Sequence, residues 1–466
     1  MATGIPGRTR VNAAGFAAIF GMVSNQSSGV VGEIVEIAVC HTGRVYPVLH
    51  SAIAVRPVMA NQPPQPEKAF DGRDGRPTLS ARPTVPAGPV PPEKAHGGLP
   101  DKPIAAQHLG PKRDDTIRRE RFDAAELAIV LSHYDIGVIE RIKEYPRGSR
   151  RAPKVRVETS QGEFLLKRRA PGRENPYRVA FAHRLQLQLA EHHFPVPRLV
   201  GTRGDNNSIV QYQGAVYEMF EYVRGDFFNN SNRESQYAGY TLARLHRLLG
   251  GHEIIYDPPE GSYHAAPGLH AHVAAIPRAV STVDVSADEA ALLETCAFLH
   301  KAYEKAAAAV EALGYSQWRR CVVHGDWHPG NLLFRDHKVV AVIDFDSARL
   351  EPRIADIANG ALQFSMLIGE ADAPSTWPDG LASERLRAFI RGYDQGAESK
   401  LTEAELEALP LLVIEALIAE SVVPIATTGS FARLAGWPFL SMIERKVCWL
   451  QPRATKLAQF VREGPA

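Results

Sequence analysis

The run Cys321-Val-Val-His324-Gly-Asp326-Trp-His328-Pro-Gly-Asn331, followed downstream by Ile343-Asp344-Phe-Asp346, constrains this chain more than any other segment. The stretches Cys321 to Val323, Asn331 to Phe334 and Val339 to Ile343 are short, apolar and mostly rich in β-branched residues, so they read as strands. Gly325, Pro329 and Gly330 put the residues between the first two in a loop at strand ends. Asp326 and Asn331 are then held on a rigid frame facing the carboxylate of Asp344.

Two carboxylates and an amide in that arrangement suit Mg-ATP. Phosphoryl transfer needs the attacking and leaving oxygens aligned while metal ions neutralise the phosphates, and it asks little covalent work of the protein. Mg2+ takes oxygen ligands, commonly one or two carboxylates plus substrate phosphates. Asn331 and Asp344 fit that role. Asp326-Trp-His328 also matches the Asp-x-His opening of binuclear metallophosphatases, but the Gly-Asp-x-x-Asp and Gly-Asn-His segments those enzymes need do not follow.

The motif resembles the catalytic loop and metal-binding element of the aminoglycoside phosphotransferase and choline kinase superfamily, small-molecule relatives of the protein kinases. Asp326 and Asn331 keep the protein-kinase catalytic-loop interval, with His-Gly-Asp in place of His-Arg-Asp and Asp-Phe-Asp in place of Asp-Phe-Gly. The resemblance implies that Asp326 accepts or orients the substrate hydroxyl proton, Asn331 binds one Mg2+, and Asp344 bridges Mg2+ to the phosphates. It also implies that His324 braces the loop and that Asp356, in Arg353-Ile-Ala-Asp356, stabilises it.

A nucleotide lobe should add a strand, a turn and a strand lysine. Gly137 to Tyr145 followed by Gly148-Ser149 supplies the first two, with Gly148 and Ser149 as a loose match to a phosphate cradle. Lys154 to Thr159, a turn at Gln161-Gly162, and Phe164-Leu-Leu-Lys167 form a hairpin that sets Lys167 to pair with the α- and β-phosphates. The following helix, Tyr177 to His192, carries His183 where the family places a glutamate. Either a neutral His183 accepts the bond, Glu174 or Glu191 substitutes, or the pair is absent. The aromatic strand Val216 to Val223 resembles the family's inter-lobe hinge, and the backbone of Glu218, Phe220 and Tyr222 is expected to meet the adenine.

Gln236 to His246 resembles the first large-lobe helix, with His246 structural. Ala287 to Leu313 reads as a long amphipathic helix with Ser286 and Glu289 as a capping box. Tyr134-Asp-Ile-Gly137, Phe194-Pro-Val-Pro197 and Phe389-Ile-Arg-Gly392-Tyr393 resemble the homoserine-kinase-like branch. Antibiotic kinases often bind a cationic drug in an acidic groove, and Glu405 and Asp346 are open candidates for lining one here.

Net charge is +1, with 53 basic and 52 acidic residues, which gives no sign of nucleic-acid or anionic-membrane binding. Cys40, Cys296, Cys321 and Cys448 lack metal-type spacing and read as thiols of a reducing compartment. No apolar run is expected to reach membrane-spanning length. From Pro57 to Pro103 prolines recur with few large apolar residues, which predicts a disordered tract or linker. Val11 to Val23, preceded by Arg8 and Arg10, resembles a targeting segment, and an upstream start codon is the other reading of this extension.

These observations predict a bilobal α+β protein-kinase-like fold, with a small antiparallel-sheet lobe and a mainly helical large lobe. Residues 1–112 form the Pro-rich extension, 113–222 the nucleotide lobe and 223–466 the catalytic and acceptor lobe. The expected activity is transfer of the γ-phosphate of ATP to a hydroxyl of a small molecule in the cytoplasm. A catalytically silent nucleotide-binding module is the alternative. A protein kinase is the lesser one, since the G-x-G-x-x-G loop and Ala-Pro-Glu segment are absent.

Overall fold

The computed structural model describes residues 119–462, apart from 147, 252–257 and 286. The expected Pro-rich extension lies outside these residues.

A five-stranded antiparallel sheet forms the small lobe, with strands in the order β1-β2-β3-β5-β4. They are β1 (Ile139–Glu144), β2 (Lys154–Thr159), β3 (Gly162–Arg168), β4 (Val210–Tyr212) and β5 (Ala215–Glu221). β2 alternates as its sequence does, burying Val155, Val157 and Thr159. Those valines join Phe164, Leu166, Tyr217 and Met219 under helix α1 (Ala124–Leu131) in a core of their own. Phe164 and Leu166 face that core, so the period-two geometry of a strand turns Lys167 to the opposite face. Helix α2 (Pro176–Glu191) starts on the Asn175 cap and buries Phe181, Leu185 and Leu189 in the large-lobe core.

Below the sheet lie α3 (Asn232–Leu249), α4 (Leu269–Ser281) and α5 (Glu289–Ala312). The cap of α5 corrects the expected box: Asp288 accepts the N–H groups of Ala290 and Ala291 at 3.1 and 3.2 Å. A carboxylate one residue before the helix reaches both donors directly. Four short strands then carry the motif: β6 (Arg320–Val323), β7 (Leu332–Arg335), β8 (Lys338–Val342) and β9 (Arg349–Pro352), pairing as β6–β9 and β7–β8. Asn331 itself lies in a 3₁₀ turn, Pro329–Asn331, before β7 rather than at a strand start.

The lobe is completed by α6 (Arg353–Ser365), α7 (Ser383–Gly396), α8 (Glu403–Thr428), the ribbon β10–β11 (Ser430–Phe431, Leu434–Ala435), α9 (Gly436–Leu450) and α10 (Ala454–Arg462). Where α3 crosses α7, a Cβ on Gly239 would lie 1.9 Å from the Phe389 carbonyl oxygen, so only glycine permits this approach. Helix α8 is long and apolar enough to cross a membrane, contrary to expectation, because Glu415 and Glu420 hide its apolar balance in the sequence. Most of it is buried as the central helix of the large-lobe core.

Candidate active site

The loop after β6 is held from below by Asp356 on α6. Its carboxylate accepts the N–H of His324 at 2.6 Å and of Gly325 at 2.9 Å, and His246 Nε2 lies 3.1 Å away. Burial would raise the Asp356 pKa, but the bond to His246 and neighbouring donors outweigh it and hold it below the ordinary range. His324 is fully buried and burial depresses its pKa, so the ring is neutral and Nε2–H donates to the Ile343 carbonyl at 3.1 Å. That bond, with Ile343 N–H to Asn331 O at 2.9 Å, ties the loop to the end of β8. Gly325 sits at φ +74°, and a Cβ there would lie 2.3 Å from both Arg349 Nη1 and Ser347 O. The roles expected for His324, His246 and Asp356 as braces match these contacts.

Asn331 Nδ2 donates to Asp326 at both its backbone oxygen (3.0 Å) and its Oδ2 (3.2 Å). The amide oxygen of Asn331 therefore faces away from that carboxylate. His328 caps the turn, accepting the Gly330 N–H at Nδ1 (2.9 Å). Among the described residues no group of three or more His, Cys, Asp or Glu side chains is arranged to hold a metal. Asp344 stands at φ +66°, ψ +65°, a left-handed conformation that costs a non-glycine residue roughly 1–2 kcal/mol and that Asp tolerates better than most. Its buried Oδ1 has no hydrogen-bond partner among the described residues. An oxygen without a hydrogen bond, together with the Asn331 amide oxygen, suits a hard cation completed by phosphate oxygens.

Lys167 meets this end of the large lobe. Its Nζ lies 3.0 Å from Glu218 Oε1, 3.2 Å from Asp346 Oδ2 and 3.8 Å from Asp344 Oδ1. Burial opposes its charge, but Asp346, Glu218 and Asp344 prevail and raise its pKa above the ordinary lysine value. Arg169 Nη2 bridges Glu218 Oε2 (3.0 Å) and Asp346 Oδ1 (2.7 Å). Against the penalty of burial, Arg169 and Lys167 pull the Asp346 carboxyl down to about 2. Lys154, register partner of Lys167 across β2 and β3, lies beneath the turn at Gly148. Burial and the neighbouring Lys167 lower its pKa. Arg119 donates to the carbonyls of Gly148 (3.2 Å) and Ser149 (3.1 Å), which fixes the expected cradle.

The expected hinge residues are placed differently from one another. Glu218 is buried and directed at Lys167. The N–H groups of Glu221 and Tyr222 donate to Arg198 O and Glu163 O, both at 2.8 Å, and Met219 O accepts from Val200. Phe220 meets the His183 ring edge-on at 6.2 Å, and Tyr222 lies under the Arg156 guanidinium at 4.7 Å. Of the two acidic-groove candidates, Glu405 is held by Arg353 at 2.7 and 2.8 Å and closes the capping box of α8 with Thr402. Asp346 belongs to the lysine cluster.

Sequence reasoning missed Arg169, Lys154 and a buried polar group within electrostatic reach of Asp326. There Glu420 on α8 accepts from Gln363 Nε2 at 2.9 Å, and Asn359 lies one turn back on the same face of α6. Burial, then the Asp326 charge, raises the Glu420 pKa to about 8. The one available signal was a charge inside an apolar run, since carboxylates are almost never fully buried unless paired.

A profile of the phosphotransferase enzyme family matches residues 141–399, more than half of the chain, and the chain belongs to that family. This match is broader than the homoserine-kinase-like branch. Stress response kinase A of Shigella flexneri is 29% identical over 198 residues, 42% of this chain and 55% of that protein, so the match spans about half the length of these curated relatives. The Salmonella typhimurium relative, 28% identical over the same shares, is named serine/threonine protein kinase RdoA. Among solved structures, an aminoglycoside phosphotransferase from Alicyclobacillus acidocaldarius aligns with TM-score 0.52 at 18% identity, covering 72% of this chain and 96% of that one. A microcompartment-associated aminopropanol kinase aligns with TM-score 0.52 at 17% identity, covering 72% and 99%. Amicoumacin kinase hAmiN, solved with AMP-PNP, Ca2+ and amicoumacin, aligns with TM-score 0.50 at 14% identity, covering 73% and 93%. These likenesses show the protein-kinase-like fold.

Proposed function

We propose that this chain is an ATP-dependent kinase that transfers the γ-phosphate to a hydroxyl of a small molecule, with Asp326 as the base. The observation that carries the reading is the convergence of Lys167 from the small lobe on Asp344 and Asp346 from the large lobe, within 3.8 Å. Lys167, with Lys154 beside it, presents positive charge to the phosphates beneath the Gly148-Ser149 turn. Asn331 and Asp344 would hold Mg2+, which when bound neutralises phosphate charge. The solved neighbour with AMP-PNP and Ca2+ supports nucleotide and divalent-metal use. With the N–H groups of Glu221 and Tyr222 committed to the sheet and the Arg224 carbonyl taken by Arg335, the backbone at Val223 is left for the adenine edge.

Both close side-chain contacts of Asp326 fall on Oδ2, from Asn331 at 3.2 Å and His328 Nε2 at 3.6 Å. Oδ1 then receives the acceptor hydroxyl proton. The Lys167–Glu218 ion pair supports the enzyme reading over the silent-module alternative. The curated relatives' names make a protein serine or threonine the second acceptor class. A cytoplasmic location fits the need for ATP.

An ATP-consumption assay over amino alcohols, sugars, aminoglycosides and casein tests the reading. Turnover on a small hydroxyl compound, dependent on Mg2+, is expected. Mg-ATP binding without turnover on any of them would contradict it.

A further inference from the structure

In the protein-kinase arrangement the strand lysine pairs with a glutamate on the following helix, and the position of that helix controls the pair. Here the following helix brings His183, not a carboxylate, to the lysine's neighbourhood. Its Nε2 lies 2.8 Å from Glu218 Oε2 and its Nδ1 2.9 Å from Ser208 Oγ. Burial lowers the His183 pKa against the pull of Glu218, so a neutral ring donates to the carboxylate and accepts from the serine. Of the helix-side alternatives, Glu174 bonds the Gly172 N–H at 2.6 Å and Glu191 is exposed at the far end of α2.

We propose that Glu218, on β5, is the carboxylate that positions Lys167 for the nucleotide, so that sheet register rather than helix placement sets the pair, with His183 and Arg169 as positioning residues acting through Glu218. The proposal rests on the nucleotide role of Lys167 argued above. Glu218 and Lys167 are direct register partners across adjacent strands, the closest side-chain relationship a sheet offers. Each carboxylate oxygen has its own work. Oε1 forms an ion pair with Lys167 at 3.0 Å without hydrogen-bond geometry, the lysine's hydrogen bond going to Asp346 Oδ2 at 3.2 Å, while Oε2 takes His183 at 2.8 Å and Arg169 at 3.0 and 3.2 Å.

The surrounding charges close on themselves. Lys167 and Arg169 stand against Glu218 and Asp346, which satisfies a fully buried carboxylate that one cation alone would leave costly. Glu218 also sits within a strand whose two edges are occupied, by β3 on one side and by β4 and residues 198–200 on the other. Asp346, the other carboxylate near Lys167, lies in the short turn after Asp344. A shift of α2 would therefore break one hydrogen bond from a neutral ring and leave the ion pair standing. The nucleotide side of the site is assembled without a helix switch.

The test is calorimetric Mg-ATP affinity of the full chain without acceptor, with melting temperature recorded alongside. Glu218→Gln is expected to weaken binding by at least about tenfold, as loss of one partner of a buried ion pair should. Returning the carboxylate to the helix in His183→Glu/Glu218→Gln is expected to restore affinity to within about threefold, and Glu191→Gln to leave it unchanged. Rescue by a relocated carboxylate separates positioning from mere stability. Wild-type affinity in folded Glu218→Gln overturns the proposal, most clearly if Asp346→Asn weakens binding instead. A double variant that fails to regain binding, folded or not, also overturns it and covers the case in which Glu218→Gln does not fold. A wild-type chain that binds no Mg-ATP sinks the nucleotide reading together with it.

Discussion

Asp356 Oδ2 and the backbone N–H of His324 lie 2.6 Å apart, and the same carboxylate takes the next N–H through its other oxygen. The start of the loop after β6 is thus held by one side chain of α6, and that helix is in turn fixed to α3 by His246.

Removing that side chain should cost both fold and activity. Asp356→Ala strands two loop N–H groups and His246, and the loss should be roughly 3–5 kcal/mol, as for breaking other buried charged pairs. Urea unfolding measures it. Asp356 has a depressed folded pKa, so its contribution is present above the unfolded carboxylate value and disappears as pH falls through the folded one. Wild-type stability should decline more steeply in acid than that of the variant.

Glu420 predicts the opposite slope. Its folded pKa of about 8 lies above the unfolded value, so between about pH 4.3 and 8 the native state holds a proton that the unfolded chain has lost. Stability should fall as pH rises through that window and level off above it. Glu420→Gln should flatten this part of the profile and be the more stable protein at pH 8 by up to a few kcal/mol. Thermal unfolding between pH 5 and 9 would show it.

At the α3–α7 crossing, Gly239→Ala should cost at least roughly 1–3 kcal/mol, because the new methyl meets the Phe389 carbonyl rather than a side chain that can turn aside. Denaturant midpoints with an unchanged m-value would confirm a packing effect. Nucleotide affinity should be little altered.

The motif that located the site was legible because its chemistry is local. Asp326, Asn331 and Asp344 lie on one loop and the strand ends beside it, and the apolar runs between them have a clear period. Lys167 was legible for the same reason, as a lysine continuing a buried strand. Its partner was not, because Glu218 and Lys167 meet by strand pairing across 51 positions, and Glu218 was read for its backbone in an aromatic strand. Arg169 was hidden because it follows two residues of the same charge, Lys167 and Arg168. Glu405, open as a groove candidate in the sequence, stands three residues after Thr402, the spacing of a capping box, and the structure uses it so. Glu420 and Gln363 come together only when α6 packs on α8.

The most direct test of the account is Asp326→Asn, assayed for Mg-ATP affinity and for turnover on whichever acceptor the wild-type chain phosphorylates. The account predicts affinity within about twofold of wild type and turnover lower by about 10²–10⁴, the usual worth of a general base. Turnover near the wild-type rate, with the nucleotide still bound, would contradict it.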